Sequence, residues 1–424
     1  MKTFNPDSAY KFMEVLVKEI GNRESATDSE FKAANRIKGW FEEFGLSNVR
    51  FDEFEVTTSR ILKEEVMLPN GDRINCAAVG NSLSTPPEGI EGEVVMLEVT
   101  SQEELKKIED KIVAVNLRLN KEKFKKIVKA KPLALIFPSG TPLAPSAYGS
   151  VRAEWVEKEN IPIVSISHDA LLSIIKRSKR LRIITEVEKF NAKSRNVIGE
   201  VSGEIGDEEI LVGAHYDSVR SVLGAHDNAA GVANVLELAR VFAGEKLTRT
   251  IKFAAFGSEE LGLRGSLHFA ENEENVNSLR FYLNFDVHGI LIGAQRARIL
   301  GPEDLKTLVQ LTAKELAVAV ETSTEVARSE GSDHLSLAFY GVPAIMLSRV
   351  GGAAYLMHTD LDDLHWCGPE AFCPVGKLCQ TLLARLANAG EFLFKKEIPP
   401  ETAKALENRF REIGIEKKMN GKSE

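Results

Sequence analysis

The chain has 424 residues, of which 43% are hydrophobic and 27% are charged, and its formal net charge is −8 at pH 7. This composition is typical of a globular protein with a hydrophobic core, and the length suggests roughly two to three domains. A weakly acidic chain does not attract nucleic acid or an anionic membrane through its overall field, so we expect neither as a partner.

The N-terminal residues and the cysteines bear on the compartment. MKTFNPDSAYKFMEVLVKEIG alternates polar and apolar residues at helical spacing, whereas a signal peptide has an uninterrupted apolar run after its basic start. No apolar run approaches the ~20 residues that a membrane span requires. The four cysteines, at positions 76, 367, 373 and 379, have the spacing of neither a zinc site nor a disulfide scaffold. We therefore expect a cytoplasmic protein whose cysteines are inert thiols.

The first predicted element is helical and covers residues 8–45. Its later part has apolar residues at spacings of three and four, which predict one buried face made of Phe31, Ala34, Ile37, Phe41 and Phe44. Gly45 is a plausible end for this helix. The residues that follow, NVRFDEFEV, predict a strand.

A change of pattern between residues 57 and 190 indicates a separate, inserted domain. The runs GEVVMLEV, KIVAVNL, LALIFP and IPIVSIS predict short strands, with helical pieces between them. The segment holds one of the eight histidines, His168, and no cluster of possible metal ligands. We therefore expect a smaller α/β or β-rich domain without chemistry of its own, set into a domain formed by residues 1–56 and 191–424.

Strands and helices alternate along the chain after residue 195. This alternation predicts an α/β fold, in which a mostly parallel, mixed sheet is flanked by helices on both faces. Sites in such sheets lie at the carboxyl ends of the strands. The tail after Pro400 has one amphipathic helix, which we expect to lie on the solvated surface.

Histidines and acids follow several of these strands. They are His215, Asp227, Glu259, Glu260, Asp286 and His358. Two imidazoles and four carboxylates at one edge are what a two-metal site needs, and they suit zinc or a similar divalent ion.

The spacing of these residues fits distinct roles. A histidine that binds metal through one ring nitrogen needs an acceptor for the other, and Asp217 is well placed to be that acceptor. Glu259 and Glu260 point in different directions, so one can bind metal while the other faces the attacking water. Asp227 lies on a Gly-rich turn from which its carboxylate can bridge two ions.

The motifs GAHYDSV, GAHDNAAGVA, GSEELGLRGS, NFDVHG and MHTDLDD follow one another in this order. In this respect the chain resembles the M28 family of zinc peptidases, the aminopeptidase-type co-catalytic metallopeptidases. The resemblance covers about 190–395 and the N-terminal helical segment, and it extends to GSDHLSLAFYGVPAI. The insert at 57–190 resembles the protease-associated domain that many members contain.

The resemblance implies a role for each residue of the site. His215 and Asp286 would each bind one metal ion, Glu260 and His358 would bind the other, and Asp227 would bridge the two. Glu259 would be the general base and Asp217 would orient His215. The resemblance also implies a cis peptide bond between Asp227 and Asn228.

Five further positions carry weaker expectations. His226 directly precedes the bridging acid and is either near the substrate or a histidine of the loop without a role. Ser332 and Asp333 are expected to cap the helix that begins at His334, although both also fit the resemblance as residues near the site. Some members of the family have a tyrosine before the last histidine ligand to stabilise the oxyanion. Met357 occupies that position here, and Tyr355 is the alternative.

The predicted function is that of an exopeptidase with two zinc ions, most plausibly an aminopeptidase acting on peptides. A glutaminyl cyclase, which works with one metal ion, is an alternative on the same scaffold, as is a carboxypeptidase or a dipeptidase. A non-catalytic binding protein is a third class, but relatives of that kind lack part of the ligand set.

Overall fold

The computed structural model describes residues 2–139, 141–142, 144–327 and 331–417. The helices are Pro6–Val15 (α1), Asp28–Phe44 (α2), Gln102–Lys106 (α3), Lys121–Lys129 (α4), His168–Arg177 (α5), Ala230–Phe242 (α6), Arg264–Glu271 (α7), Glu273–Ser278 (α8), Glu303–Glu315 (α9), His334–Phe339 (α10), Cys373–Asn388 (α11) and Pro400–Ile413 (α12). The strands are Ser47–Met67 (β1), Arg73–Ile74 (β2), Cys76–Ala78 (β3), Ile90–Leu97 (β4), Ile112–Val115 (β5), Ala134–Pro138 (β6), Ile163–Ile166 (β7), Arg180–Val201 (β8), Gly203–His215 (β9), Leu247–Phe256 (β10), Leu279–Phe285 (β11), Ala294–Leu300 (β12), Glu321–Ser323 (β13) and Ala344–Val350 (β14).

The strands of the described residues form one continuous sheet in the order β13-β12-β14-β11-β9-β10-β8-β4-β5-β6-β7-β3. Strands β14, β11, β9 and β10 pair in parallel, so their carboxyl ends lie along one edge. Antiparallel pairing of β12 with β14 and of β8 with β10 makes the sheet mixed. This confirms the predicted α/β fold class. Strands β12 and β13 were not predicted, because their short segments carry weak apolar patterns.

A long antiparallel ribbon joins the two halves of the sheet. β1 pairs with β8 from Ser47↔Glu200 to Met67↔Arg182. The far end of β8 then pairs with β4, which begins the half that contains residues 57–190. That half has its own two clusters of buried apolar side chains. The domain boundaries and the protease-associated character of the insert stay predictions.

The predicted helix over residues 8–45 is interrupted. A π-helical turn follows α1 and ends at Gly21, whose φ of 83° is open to glycine without strain. α2 begins after Thr27, which caps its first turn, and ends at Gly45 in the left-handed conformation, as predicted. Within the predicted apolar stripe Ala34, Ile37 and Phe41 are buried, whereas Phe44 is partly buried and Phe31 is 43% exposed.

Helix α6 lies between the sheet and helices α1 and α2. Of its 13 residues only Arg240 is not buried. Because α6 is enclosed on most sides, the start of the helix is held in place. The loop that directly precedes it carries Asp227.

Helix α12 is amphipathic, as predicted, but one of its faces is buried, so the expectation that it lies on the solvated surface is wrong for that face. Its residues Leu406, Phe410 and Ile413 are buried, and the ring of Phe410 stacks on Phe339 with 4.2 Å between centroids. The Trp155 Nε1 donates a hydrogen bond to the carbonyl of Ile413 at 2.9 Å, which ties this helix to the insert. No helix in the described ranges is both long and apolar enough to cross a membrane.

Candidate metal centre

The predicted ligands meet at the carboxyl edge of the parallel strands. Ligand atoms of His215, Asp227 and Asp286 lie within 4.8 Å of one another, and so do those of Asp227, Glu260 and His358. Asp227 belongs to both groups. The structure therefore brings together all five residues that the sequence suggested as ligands.

Asp227 divides its two oxygens between the groups. Its Oδ1 lies 3.3 Å from Nε2 of His215, which is also 3.2 Å from Oδ1 of Asp286. Its Oδ2 lies 3.2 Å from Nε2 of His358, which is 3.1 Å from Oε2 of Glu260. A carboxylate placed in this way can bridge two cations.

The loop that carries Asp227 is held from two sides. The Asp362 carboxylate accepts hydrogen bonds from the backbone N–H groups of His226 at 2.9 Å and Asp227 at 3.2 Å. The Asn228 side chain donates to the carbonyl of Phe285 at 2.9 Å and accepts from the N–H of Gly231 at 3.0 Å. The peptide bond between Asp227 and Asn228 is cis, as the resemblance implied.

Gly231 is required for this arrangement. A Cβ at this position would lie 2.1 Å from Oδ1 of Asn228, which is far inside van der Waals contact. The side chain of Asn228 could then not fold back over the start of α6.

The Asp217 carboxylate connects β9 with the loop that follows β10. It accepts hydrogen bonds from the backbone N–H groups of Glu259 at 3.0 Å and Glu260 at 3.1 Å, and from the Ser25 hydroxyl at 2.9 Å. Its Oδ1 is 3.6 Å from Nδ1 of His215, whereas the backbone carbonyl of Asp217 is nearer, at 3.2 Å. Asp217 thus holds the segment of the two glutamates, and its role in orienting His215 stays a prediction.

Supporting residues from the N-terminal segment were missed in the sequence. Ser25 binds Asp217, and the buried guanidinium of Arg23 donates to four backbone carbonyls, including those of Tyr216 at 2.7 Å and Gly224 at 2.8 Å. Arg23 thereby fixes the loop between His215 and Asp227. An arginine and a serine two residues apart between two helices give no sequence signal of this role.

The charges of the buried groups influence one another strongly. Burial opposes ionisation of Asp227, but hydrogen bonds with His215 and His358 outweigh it and hold the pKa of Asp227 far below its usual value. Burial raises the pKa of Glu259 well above the ordinary value of a glutamate, against the opposing influence of His215. Burial also raises the pKa of Glu260.

The donor set fits divalent cations. Two imidazoles and three carboxylates are the nitrogen and oxygen ligands that zinc accepts. Glu260 Oε1 is buried and has no hydrogen-bond partner among the residues that the structure describes. A buried carboxylate oxygen without a partner is costly unless a cation satisfies it. His215, Asp227 and Asp286 would hold one ion, and Asp227, Glu260 and His358 a second.

The weaker candidates lie outside the ligand set. His226 is buried, and its Nδ1 lies 2.7 Å from Oδ1 of Asp362, so it supports the loop. Asp333 makes no side-chain cap to α10, and the Ser332 hydroxyl instead accepts a hydrogen bond from Asn284 at 2.7 Å. The expectation that they cap this helix is wrong. Burial raises the pKa of Asp333 to about 7.

A cavity of about 530 Å³ lies over the five ligands and Glu259. Met357 and the exposed Tyr355 both line it. Because a thioether cannot donate a hydrogen bond, Tyr355 stays the predicted substitute for the oxyanion donor. The insert also reaches the site, because the N–H of Tyr148 donates to the carbonyl of His358 at 2.7 Å. Ser150 and Arg152 of the insert line the cavity, together with Arg409 of α12.

Solved structures with the same fold are zinc aminopeptidases and a related peptidase. The zinc aminopeptidase BSAP from Bacillus subtilis has a TM-score of 0.76 at 22% identity, covering 94% of this chain and 99% of that one. A peptidase M28 precursor from Shewanella amazonensis has a TM-score of 0.79 at 23% identity, covering 93% and 96%. The chain therefore has the fold of these two solved structures.

Sequence comparison agrees with the fold. Residues 196–383, which include the five predicted ligands and Glu259, match Peptidase family M28. The aminopeptidase YwaD of Bacillus subtilis is 29% identical over 296 residues, which are 67% of this chain and 62% of that protein. A probable lipoprotein aminopeptidase, LpqL of Mycobacterium tuberculosis, is 26% identical over 261 residues, which are 58% and 52%. The matches therefore span less than two thirds of these relatives.

Proposed function

We propose that the protein is a zinc-dependent aminopeptidase that uses two metal ions to remove N-terminal residues from peptides. The observation that carries the proposal is the position of Asp227, with one carboxylate oxygen facing each histidine of the centre. The family and the relatives named aminopeptidases support the same reaction class.

The residues of the chain divide the work. Bound ions would polarise the scissile carbonyl and lower the pKa of the attacking water. Glu259 forms a third group with His215 and Glu260, but it is absent from the two groups that share Asp227. A carboxylate that lies beside the ions without binding them is suited to take a proton from water and return it to the leaving amine.

Asp217 serves this step by placement. Because its carboxylate binds the N–H groups of both glutamates, it fixes the base relative to the ligand Glu260. Ser25 completes this contact from the N-terminal segment. The free amine of the substrate would lie among the carboxylates of the centre.

The proposal is tested by measuring metal content and substrate range together. Purified protein is expected to contain two zinc ions per chain, and to cleave leucine p-nitroanilide but not its N-acetylated form. Chelation should abolish turnover and zinc should restore it. Equal cleavage of the blocked substrate would contradict the aminopeptidase assignment, and one tight ion per chain would contradict the two-ion centre.

The role of Glu259 is tested by Glu259→Gln. We expect kcat to fall about 10²- to 10⁴-fold, because a general base is lost, while metal content is kept. Glu273→Gln, on an exposed turn of α8, is the control and should match the wild type. Turnover by Glu259→Gln at the wild-type rate would remove Glu259 from this role.

The cytoplasmic location stays a prediction, since one relative is named a lipoprotein. Cell fractionation with an antibody against the chain would test it. Recovery of the protein with membranes or outside the cell would contradict it.

A further inference from the structure

The cavity over the metal centre contains a cationic group that the proposed reaction does not use. Arg152 belongs to the insert and lines this cavity together with His215, Asp227 and Glu259. Its guanidinium lies against the backbone of Gly262, where an added Cβ would be 2.3 Å from Nη1. The Nη1 atom is buried and has no hydrogen-bond partner in the described part of the chain.

The acid nearest in sequence is already occupied. Glu154 binds Arg264 through both of its oxygens, at 2.5 and 2.9 Å. No described carboxylate forms an ion pair with Arg152, although Glu259 and Glu154 attract it from a greater distance. Burial lowers the pKa of Arg152 to about 10, which leaves it cationic at neutral pH.

A second arginine reaches the same cavity from the C-terminal helix. Arg409 lines the cavity, and its Nε is buried without a hydrogen-bond partner among the described residues. Its position is fixed by the next residue, Phe410, which stacks on Phe339. The Trp155 bond to Ile413 fixes the same helix against the insert, three residues from Arg152.

Guanidinium nitrogens that are buried without a hydrogen-bond partner, as one is in each of these arginines, are expensive to maintain. A guanidinium is also the side chain best suited to bind a carboxylate, because its N–H groups match the two oxygens. The third arginine of the cavity, Arg296, differs, since its Nε already binds Glu321 at 3.0 Å.

We propose that Arg152 and Arg409 form a subsite that binds a carboxylate of the substrate, so that the enzyme prefers short peptides with an acidic group near the cleaved bond. The inference rests on the proposed aminopeptidase function and names its substrate class. Two sources supply the carboxylate: the free C-terminus of a dipeptide or tripeptide, and an acidic side chain after the cleaved bond.

The test compares peptides that differ only in this charge. Leucyl-alanine is compared with its C-terminal amide, and leucyl-glutamate amide with leucyl-glutamine amide. At least one charged peptide should have a kcat/KM about tenfold or more above its neutral partner, as expected for a charge-assisted hydrogen bond. The first pair reports a free C-terminus and the second an acidic side chain. Equal values in both pairs would overturn the proposal.

Variants connect the preference to the two arginines. Arg152→Gln and Arg409→Gln should each lose most of the preference for the charged peptide, because the KM for that peptide rises. Leucine p-nitroanilide, which lacks the carboxylate, should be cleaved as before. If Arg152 instead serves Glu259, Arg152→Gln would lower kcat equally for all substrates and shift the pH profile, which would overturn the subsite. Arg296→Gln is the matched control, and an equal loss there would also overturn the assignment.

A binding measurement separates this proposal from the function on which it rests. In the Glu259→Gln background, calorimetry should show tighter binding of the preferred charged peptide than of its neutral partner, and Arg152→Gln should remove the difference. If no substrate is cleaved by the wild type, the proposed function fails, whereas this binding difference still decides the subsite. Equal binding of charged and neutral peptides would contradict the subsite alone.

Discussion

The two halves of the sheet place a histidine and an aspartate at similar positions with different results. In one half His215 ends β9 and Asp217 follows, and neighbouring parallel strands deliver Glu260 and Asp286 beside them. In the other half His168 and Asp169 follow β7 closely, but Nδ1 of His168 binds the carbonyl of Ser139 at 2.8 Å and Asp169 lies in the first turn of α5. A strand end is therefore a place for a site only when adjacent strands supply further ligands.

The insert takes part in the site in another way. It contributes Tyr148, which supports the backbone of His358, and Arg152, which lines the cavity. The first half thus supplies the reacting groups, and the second shapes the space over them.

The largest effect is expected when one aspartate in each half is replaced, in separate variants, by asparagine. Asp227→Asn should reduce bound zinc below two ions and lower kcat/KM by more than about a hundredfold, since even residues that only support metal ligands are worth 10- to 100-fold. Metal analysis and steady-state kinetics measure both effects. Asp169→Asn is the control and should keep metal and activity. Two bound ions in Asp227→Asn would mean that it does not bridge.

A second test measures how much the packing of helix α12, which contacts both halves, contributes to stability. Phe410→Ala should lower the free energy of unfolding by about 3–5 kcal/mol, because a fully buried aromatic ring is removed. Denaturant unfolding measures this free energy. The control is Glu407→Ala at an exposed position of the same helix, whose free energy of unfolding should stay within about 0.5 kcal/mol of the wild type. A loss of under 1 kcal/mol would show that α12 does not depend on this packing.

The smallest expected effect concerns the buried support under the metal centre. Burial raises the pKa of Glu30 from 4.5 to about 8, although it accepts hydrogen bonds from Ser194 and Ala26. The folded state keeps the proton while the unfolded state has lost it, so stability falls as pH rises from about 4.5 to 8, by about 1 kcal/mol per unit. Between about pH 6 and 9 the free energy of unfolding should fall less steeply with pH for Glu30→Gln than for the wild type.

The surface acid Glu43 on the same helix provides the control. Its side chain is 58% exposed, so Glu43→Gln should keep the wild-type slope. Parallel curves for the wild type and Glu30→Gln would show that Glu30 is ionised in the folded protein throughout this range.

Sequence reasoning brought the predicted ligands together because each follows an apolar run that the parallel sheet aligns. His215, Asp286 and the Glu259–Glu260 pair are placed by local pattern, and the strand-end rule then brings them together. The same reasoning missed the break at Gly21, where the backbone conformation rather than apolar periodicity ends the helix.

Contacts between segments that are distant along the chain could not be predicted from the sequence. Arg23, Arg152 and Arg409 come from three parts of the chain, and nothing local distinguishes them from surface arginines. The burial of α12 depends on Phe339 and Trp155, which lie elsewhere in the chain and meet it only in the folded protein. Asp333 has the sequence of a helix cap but is buried beside the centre.

The ribbon of β1 and β8 has a practical consequence for dissecting the molecule. Its register places Met67 directly across from Arg182, so the two points where the chain leaves and re-enters the ribbon are neighbours. A two-residue Asn-Gly turn could close the strands there and replace everything between them. Excision at this junction would keep the five predicted ligands and Glu259 but remove the Tyr148 contact to His358 and the Trp155 contact to α12. The shortened protein would therefore measure how far the metal centre depends on the insert.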